Sequence, residues 1–567
     1  MGSLWSVLFA ILLNFNCGKV AFGQEEAPII SITDGRLRGT TSKTVGLNVT
    51  YYAYRGIPYA KKPINDLRFA APVKNSPWTG TLNATADRDF CVQLLEGIPF
   101  PGSTNRTVVG SEDCLYINVY TTGVNKSLPV MVWIYGGGFY SGFSDYKTYA
   151  PDYLLEKEVV YVAFNYRLGI FGFLSLGDLV APGNWGIKDQ ILALKWVQEN
   201  IKHFGGDPRK VTIFGESAGA ASVSYLLHTS KTNGLFEKAI MQSGSSVCGW
   251  ALTRSPKTQA YKVAISLGII SSNSKHIVNE LRKMDYKTLK LAESEISALV
   301  IISNIFDGLP FGVVKEPNHP EAVFSNSSWE LFKSGQFQRV PILAGYNSLE
   351  VGNALSYYDQ IKQLLFIYDL QPNLLAPYGL TQNFFKQLVA GLEVKKHFFH
   401  LRPITVQPEA LAEFLSVELF ERPIRENVVL ASAFTRVYFY RFSYKGLLGD
   451  PLQISSGVTH AEELRYLFVV PNQTVNEQDR AVIDKFVTLW TNFAKTGDPT
   501  PHNNSHNNTI LGGLTWSPNE SNKNVSTTIE YLNINSTLTM ETNPSQDDWL
   551  FYQTLYEKFG TPPYATY

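Results

Sequence analysis

The chain has 567 residues, 49 basic against 49 acidic side chains, and no net formal charge; 44% of residues are hydrophobic and 13% aromatic. That composition can bury a large core and excludes wholesale disorder, and the charge balance removes the long-range attraction on which nucleic-acid binders and polybasic membrane proteins rely. Charged residues are 17%, below the usual level of about 25%, so another feature must keep the surface soluble.

At the N-terminus, residues 4–13 (LWSVLFAILL) form a short apolar run, and Ala21-Phe22-Gly23 places small residues where a signal peptidase reads. Residues 1–23 are therefore predicted to be a secretory signal peptide cleaved after Gly23, because the run is too short to span a bilayer. Residues 24–567 are expected to form a single domain, secreted and extracellular, with no membrane anchor. No linker interrupts them, no later segment reaches about 18 uninterrupted apolar residues, and EKFGTPPYATY offers no tail for a lipid anchor.

Further along, residues 129–135 (PVMVWIY) and 159–164 (VVYVAF) are apolar runs suited to strands buried on both faces. Residues 187–204 carry apolar side chains at helical spacing, and Gly205-Gly206-Asp207-Pro208 ends that helix. A strand at 210–214 (KVTIF), a helix at 218–228 and a strand at 340–344 (VPILA) follow. Strands interleaved with helices predict an α/β fold with a large, mainly parallel central sheet flanked by helices.

Eleven Asn-x-Ser/Thr sequons occur, at Asn48, Asn83, Asn105, Asn125, Asn326, Asn472, Asn503, Asn507, Asn519, Asn524 and Asn535. This density fits a glycoprotein whose sugars make up for low charge, and the crowding between 503 and 535 predicts exposed loops there. Of four cysteines, Cys17 leaves with the signal peptide, so Cys91, Cys114 and Cys248 can form at most one internal disulfide. If Cys91 joins Cys114, the closed loop of about twenty residues is worth roughly 3 kcal/mol.

The chemistry centres on Gly215-Glu216-Ser217-Ala218-Gly219, the one G-x-S-x-G in the sequence. The bare string arises by chance in roughly one chain in four of this length. Its placement between an apolar strand and a helix gives it weight. A sharp strand-to-helix turn needs the glycines, and it exposes the serine hydroxyl beside a helix N-terminus. Tyr135-Gly136-Gly137-Gly138 follows strand 129–135, where bare amides can face a developing oxyanion, with Ala218 adding another.

The base follows by elimination among nine histidines, given the order serine, acid, histidine. His203 precedes Ser217; His228, His276 and His319 precede the best acid; His397 and His400 sit three apart on an apparent helix; His502 and His506 lie in the sequon tract. His460 is left, in a polar loop. Glu350 follows strand 340–344 and is preferred as the acid over Asp307, which sits in an Asp-Gly turn. The rate of a Ser217–His460 catalyst should fall as pH drops through an imidazole pKa of about 6–7.

With these residues in place, the chain resembles the type-B carboxylesterases, in the cholinesterase-like group of the α/β-hydrolase fold, with an insect-type secreted esterase expected. The matching strings are Arg55–Ala60 (RGIPYA), Leu67-Arg68-Phe69, Ser111–Tyr116 (SEDCLY), Tyr135–Phe139 (YGGGF), Asn165–Gly169 (NYRLG), Gly183-Asn184, Asp189-Gln190, the Ser217 motif, Glu350, and Gly457 with His460. The resemblance implies a triad of Ser217, Glu350 and His460 and oxyanion donors at Gly137, Gly138 and Ala218. It also implies a Cys91–Cys114 bridge, ion pairs Arg68–Glu112 and Arg167–Asp189, and neither a cofactor nor a metal. Three departures stand out. Val351 follows the acid where the family usually has Gly; Thr104 stands where cholinesterases carry a cation-binding Trp; and Glu216 precedes the serine where juvenile hormone esterases typically have Gln.

The expected partner is therefore a small-molecule ester, not a nucleic acid, with oligomeric state left open. The favoured reading is a secreted serine carboxylesterase acting on lipophilic carboxylic esters through an acyl-enzyme. A non-catalytic adhesion protein and a stoichiometric scavenger of ester toxins are the alternatives.

Overall fold

Continuous β-branched and aromatic runs build the centre of the molecule, because only strands covered on both faces can hide them. The computed structural model describes residues 27–95, 106–303, 306, 308–450, 455–501, 509–520, 528–562, 564 and 567. Its main sheet contains β1 (Thr40–Lys43), β2 (Thr50–Pro58), β3 (Tyr116–Thr121), β4 (Leu128–Ile134), β5 (Val160–Phe164), β6 (Gly206–Glu216), β7 (Lys238–Gln242), β8 (Ile342–Asn347), β9 (Val437–Phe442), β10 (Glu530–Ile534) and β11 (Leu538–Thr542). Their spatial order is β11-β10-β9-β8-β7-β6-β4-β5-β3-β2-β1. The stretch from β10 to β5 is parallel throughout, while β11 and the β3, β2, β1 edge run antiparallel.

The predicted parallel core is thus present, with boundaries that differ for physical reasons. The helix predicted at 187–204 runs from Trp185 to Asn200 and tightens into a 3₁₀ turn, Ile201–Phe204, stopped by Gly205 at φ 78°. Strand β6 starts earlier than 210, since Gly206 pairs with Leu128 before a register shift leads to Val211 opposite Val130. Strand β8 extends three residues beyond the predicted Ala344, carrying the chain toward Glu350.

Aromatic side chains fill the space beside the central strands. Trp133 lies 4.9 Å from Phe214 and 5.0 Å from Phe468, ring centre to ring centre, and all three are buried. Removing such a side chain costs about 3–5 kcal/mol, so this cluster fixes β4 against β6. The carboxyl ends of the strands, where open α/β sheets hold their ligands, therefore sit on a rigid floor. Among the described residues, no helix is long and apolar enough to cross a membrane.

Candidate active site

Strand β6 leads directly into the turn at Ser217, whose φ of 57° and ψ of −123° lie outside ordinary right-handed space. The strain persists because the surroundings over-determine it. The Ser217 amide donates to Gln242 O at the end of β7 (2.9 Å), and Ser217 O accepts the first bond of helix Ala218–His228 from Ala221 N (2.9 Å). A Cβ on Gly219 would stand 1.9 Å from Ile134 O, so the last glycine of the motif is dictated by the closeness of β4.

The glycine loop after β4 reaches the same point. A Cβ on Gly136 would come within 2.7 Å of Glu216 O and 2.9 Å of Ser217 Cβ, which puts this backbone against the serine. Gly137, Gly138 and Phe139 follow with φ of 109°, 58° and 62°. The opening amides of helix 218–228 have no intrahelical acceptor. Gly137 and Gly138 follow directly on the Gly136 contact with Ser217, and Ala218 opens the helix after it.

Glu350 and His460 meet at the same end of the sheet. Glu350 is fully buried; its Oε1 accepts the Asn347 amide (2.7 Å), and its Oε2 lies 2.7 Å from His460 Nδ1. The His460 amide also donates to Glu350 O (2.9 Å), tying the two loops together. Val351 sits at φ −105° and ψ 21°, where no glycine is needed, and its amide donates to Ser416 Oγ (2.9 Å). The departure from the family's Gly leaves the acid's loop undisturbed. Phe420 packs on the imidazole, with ring centres 4.6 Å apart.

The other ring nitrogen supplies a contact that sequence reasoning missed. His460 Nε2 stands 3.0 Å from Glu216 Oε1, an ion-pair approach not aligned as a hydrogen bond, and no hydrogen bond joins the ring to Ser217 Oγ in this structure. Burial alone would push the imidazole pKa down. The carboxylates of Glu216 and Glu350 outweigh it and hold the ring well above its ordinary 6.5, which corrects the expectation of about 6–7. Burial likewise raises the Glu216 carboxyl, with His460 opposing it.

A further carboxyl, Glu463, lies one turn beyond the histidine. It accepts Gln242 Nε2 (3.0 Å) and Asn347 Nδ2 (2.6 Å), and burial, then Glu216 and Glu350, push it up to about 8. Nothing in the local sequence singled it out. Its role follows from Gln242 and Asn347, which hold the serine's turn and the acid.

The supporting residues fall where the resemblance implied. Cys91 and Cys114 form a disulfide, and Cys248 is free and buried, its thiol pushed up to about 12 by burial. Arg68 Nε donates to Glu112 Oε1 (2.6 Å), and Arg167 holds Asp189 through Nε (2.8 Å) and Nη2 (2.7 Å). Of the discarded histidines, half-buried His228 lies against Ser246 Oγ (3.2 Å), and His397 pairs with Asp548 (2.7 Å). Among the described residues, no group of three or more His, Cys, Asp or Glu could hold a metal ion.

The sequons divide. Asn48, Asn83, Asn125, Asn326 and Asn472 are exposed and Asn535 is half-buried. Asn519 departs from the expected exposed loop. It is buried, its Nδ2 donates to Glu530 O (2.8 Å) and its Oδ1 accepts Glu530 N (3.0 Å), so a sugar there would break this packing. Residues 1–23, Thr104, Asp307, Asn105, Asn503, Asn507 and Asn524 lie outside the described residues.

An eleven-stranded, mainly parallel sheet with a serine on a strained strand-to-helix turn defines an α/β-hydrolase. The carboxylesterase family matches residues 26–551, and the chain belongs to that family; it is a carboxylic-ester hydrolase. It is 35% identical over 495 residues to juvenile hormone esterase of Tribolium castaneum, covering 81% of this chain and 82% of that protein. It is 34% identical over 510 residues to venom carboxylesterase-6 of Apis mellifera, covering 86% and 89%. The solved structure of juvenile hormone esterase from Manduca sexta, with OTFP covalently attached, matches with a TM-score of 0.80 at 25% identity, over 94% of this chain and 100% of that one.

Proposed function

We propose that the protein is a secreted serine carboxylesterase that hydrolyses lipophilic carboxylic esters through an acyl-enzyme, with residues 24–567 forming one catalytic domain. The observation that carries this reading is the 2.7 Å contact between His460 Nδ1 and Glu350 Oε2 at the sheet end that also presents Ser217. Ser217 Oγ attacks the ester carbonyl, and His460 Nε2, leaving Glu216 as the ester enters, takes the hydroxyl proton. Glu350 keeps the Nδ1 proton in place and stabilises the imidazolium. The amides of Gly137, Gly138 and Ala218 hold the oxyanion. His460 then protonates the leaving alcohol, and water, deprotonated by the same nitrogen, releases the acid.

A lipophilic substrate is supported by the apolar side chains at the site. Phe420 lies on the imidazole, and Leu309 Cδ1 is the side-chain atom nearest to where a Cβ on Gly138 would stand, at 3.5 Å. Secretion is supported by the Cys91–Cys114 disulfide, the exposed sequons and the Apis relative named as a venom esterase. The test is Ser217→Ala, expected to leave folding intact and to lower turnover of an uncharged ester at least about a thousandfold. Near-normal turnover in that variant would refute the assignment.

A further inference from the structure

The oxyanion loop is held from behind by a buried ion pair that the chemistry above does not use. Phe139 adopts φ 62°, a strained value for a residue with a side chain, so something must hold it there. Its carbonyl accepts the Gly169 amide (2.7 Å), and its buried ring meets Phe173 edge-on at 5.2 Å. Gly169, at φ 51°, is itself pressed against helix Tyr286–Ser303. A Cβ there would stand 2.3 Å from Glu293 Oε1 and 2.8 Å from Lys290 Nζ.

Glu293 and Lys290 are paired, with Nζ 3.0 Å from each carboxylate oxygen, and only 0% and 2% of their side chains is exposed. The amide of Ile170, the residue after Gly169, faces the Glu293 carboxylate and favours its charged form. The same helix grips the loop a second time through Tyr140. The Tyr140 hydroxyl accepts the Phe311 amide (2.7 Å) and shares a bond with Ser297 Oγ (3.2 Å), and Lys290 Nζ lies 5.3 Å from the centre of its ring. A buried ion pair adds little net stability over an apolar replacement, so two buried charges at this point suggest a demand on geometry.

We infer that Glu293, paired with Lys290, is a positioning residue for ester hydrolysis: it fixes the 169–170 turn that holds Phe139 O, and with Tyr140 it keeps the Gly137 and Gly138 amides aimed at the developing oxyanion. This rests on the assignment of Ser217 as nucleophile. Oxyanion contacts form fully only at the tetrahedral stage, so loosening the loop should lower kcat and leave KM nearly unchanged. The same amides would hold the alkoxide formed when a serine adds to a trifluoromethyl ketone.

The test compares the full-length enzyme with Lys290→Met/Glu293→Ala, which removes both charges together, and with Lys290→Met/Glu293→Gln, which keeps an acceptor for Ile170. For the Ala-bearing variant we expect a fall of about tenfold or more in kcat on an uncharged nitrophenyl ester, KM within about twofold, and an equal loss of affinity for an alkyl trifluoromethyl ketone. The Gln-bearing variant should recover most of both. Unchanged kcat and ketone affinity in the Ala-bearing variant, or a raised KM at unchanged kcat, would overturn the inference.

Should the Ala-bearing variant not fold, Tyr140→Phe removes the grip on Phe311 and Ser297 while keeping the ring. It should show the same paired loss, and wild-type values would overturn the inference equally. Ketone addition to the wild-type enzyme, followed by mass, separates the two failures. If no adduct forms on Ser217, the nucleophile assignment fails and this inference falls with it. If the adduct forms and the variants match wild type, only the positioning role fails.

Discussion

Glu216→Gln should move the acid limb of the pH–rate profile downward. In the proposed role of general base His460 must be neutral, so a raised pKa keeps the ring protonated and idle up to a higher pH. One full charge at the 3.0 Å Glu216 contact favours the imidazolium by about 5.5 kcal/mol at an effective dielectric of about 20. That is a ceiling, because burial raises the Glu216 carboxyl too, so the pair shares its proton. The downward direction survives that discount. The assay is kcat/KM for an uncharged nitrophenyl ester between about pH 5 and 9, so that enzyme groups alone titrate. The wild-type limb should lie above 6.5 and the variant's clearly below the wild type's. A limb that moves by less than about 0.3 units would show that Glu216 exerts no charge on the ring and would refute the reasoning.

Three further outcomes follow from residues already placed. Glycopeptide mapping of protein expressed through a eukaryotic secretory pathway should find sugar at exposed Asn48, Asn83, Asn125, Asn326 or Asn472 and none at Asn519, whose amide is committed to Glu530; an occupied Asn519 would contradict the packing of that segment. Cys248 should resist a thiol reagent in the native enzyme at pH 8 and react after denaturation, since burial pushes its pKa up to about 12. Acetylcholine should show no advantage in kcat/KM over its uncharged isostere 3,3-dimethylbutyl acetate, because Thr104 supplies no aromatic face. A roughly tenfold preference for the choline ester, about 1.4 kcal/mol, would mean another aromatic holds the cation.

The parts of the fold legible in the sequence are those where burial leaves an unambiguous local pattern. Strands β4, β5 and β8 are covered on both faces and read as unbroken apolar runs. The edge strands were not legible: β2 alternates irregularly between buried and half-exposed positions, and β11 has no fully buried residue. Ser217, on its strained turn, and Glu350 and His460, which the fold brings together, were singled out because each follows a recognisable strand or survives elimination. Glu216 was legible only as a substrate discriminator, since its approach to His460 comes from a turn that no local pattern encodes. Lys290 and Glu293, three apart on a helix, have the spacing of an ordinary solvated surface pair. Only the tertiary fold buries them beneath the oxyanion loop.

The site's members are scattered along the chain, and this bears on how the protein comes into being. His460 lies 110 residues from Glu350, and Glu463 lies 221 residues from Gln242, the residue that fixes the serine's turn. Such long-range closure comes late, after loop entropy has been lost. During synthesis the Ser217 turn can form while the strand that leads to its acid and the loop that bears its base are still unmade. On the proposed assignment, a truncated or half-folded chain would carry Ser217 without the means to activate it. Hydrolytic competence would then mark the completed molecule, and unfinished copies would stay chemically silent toward the esters around them.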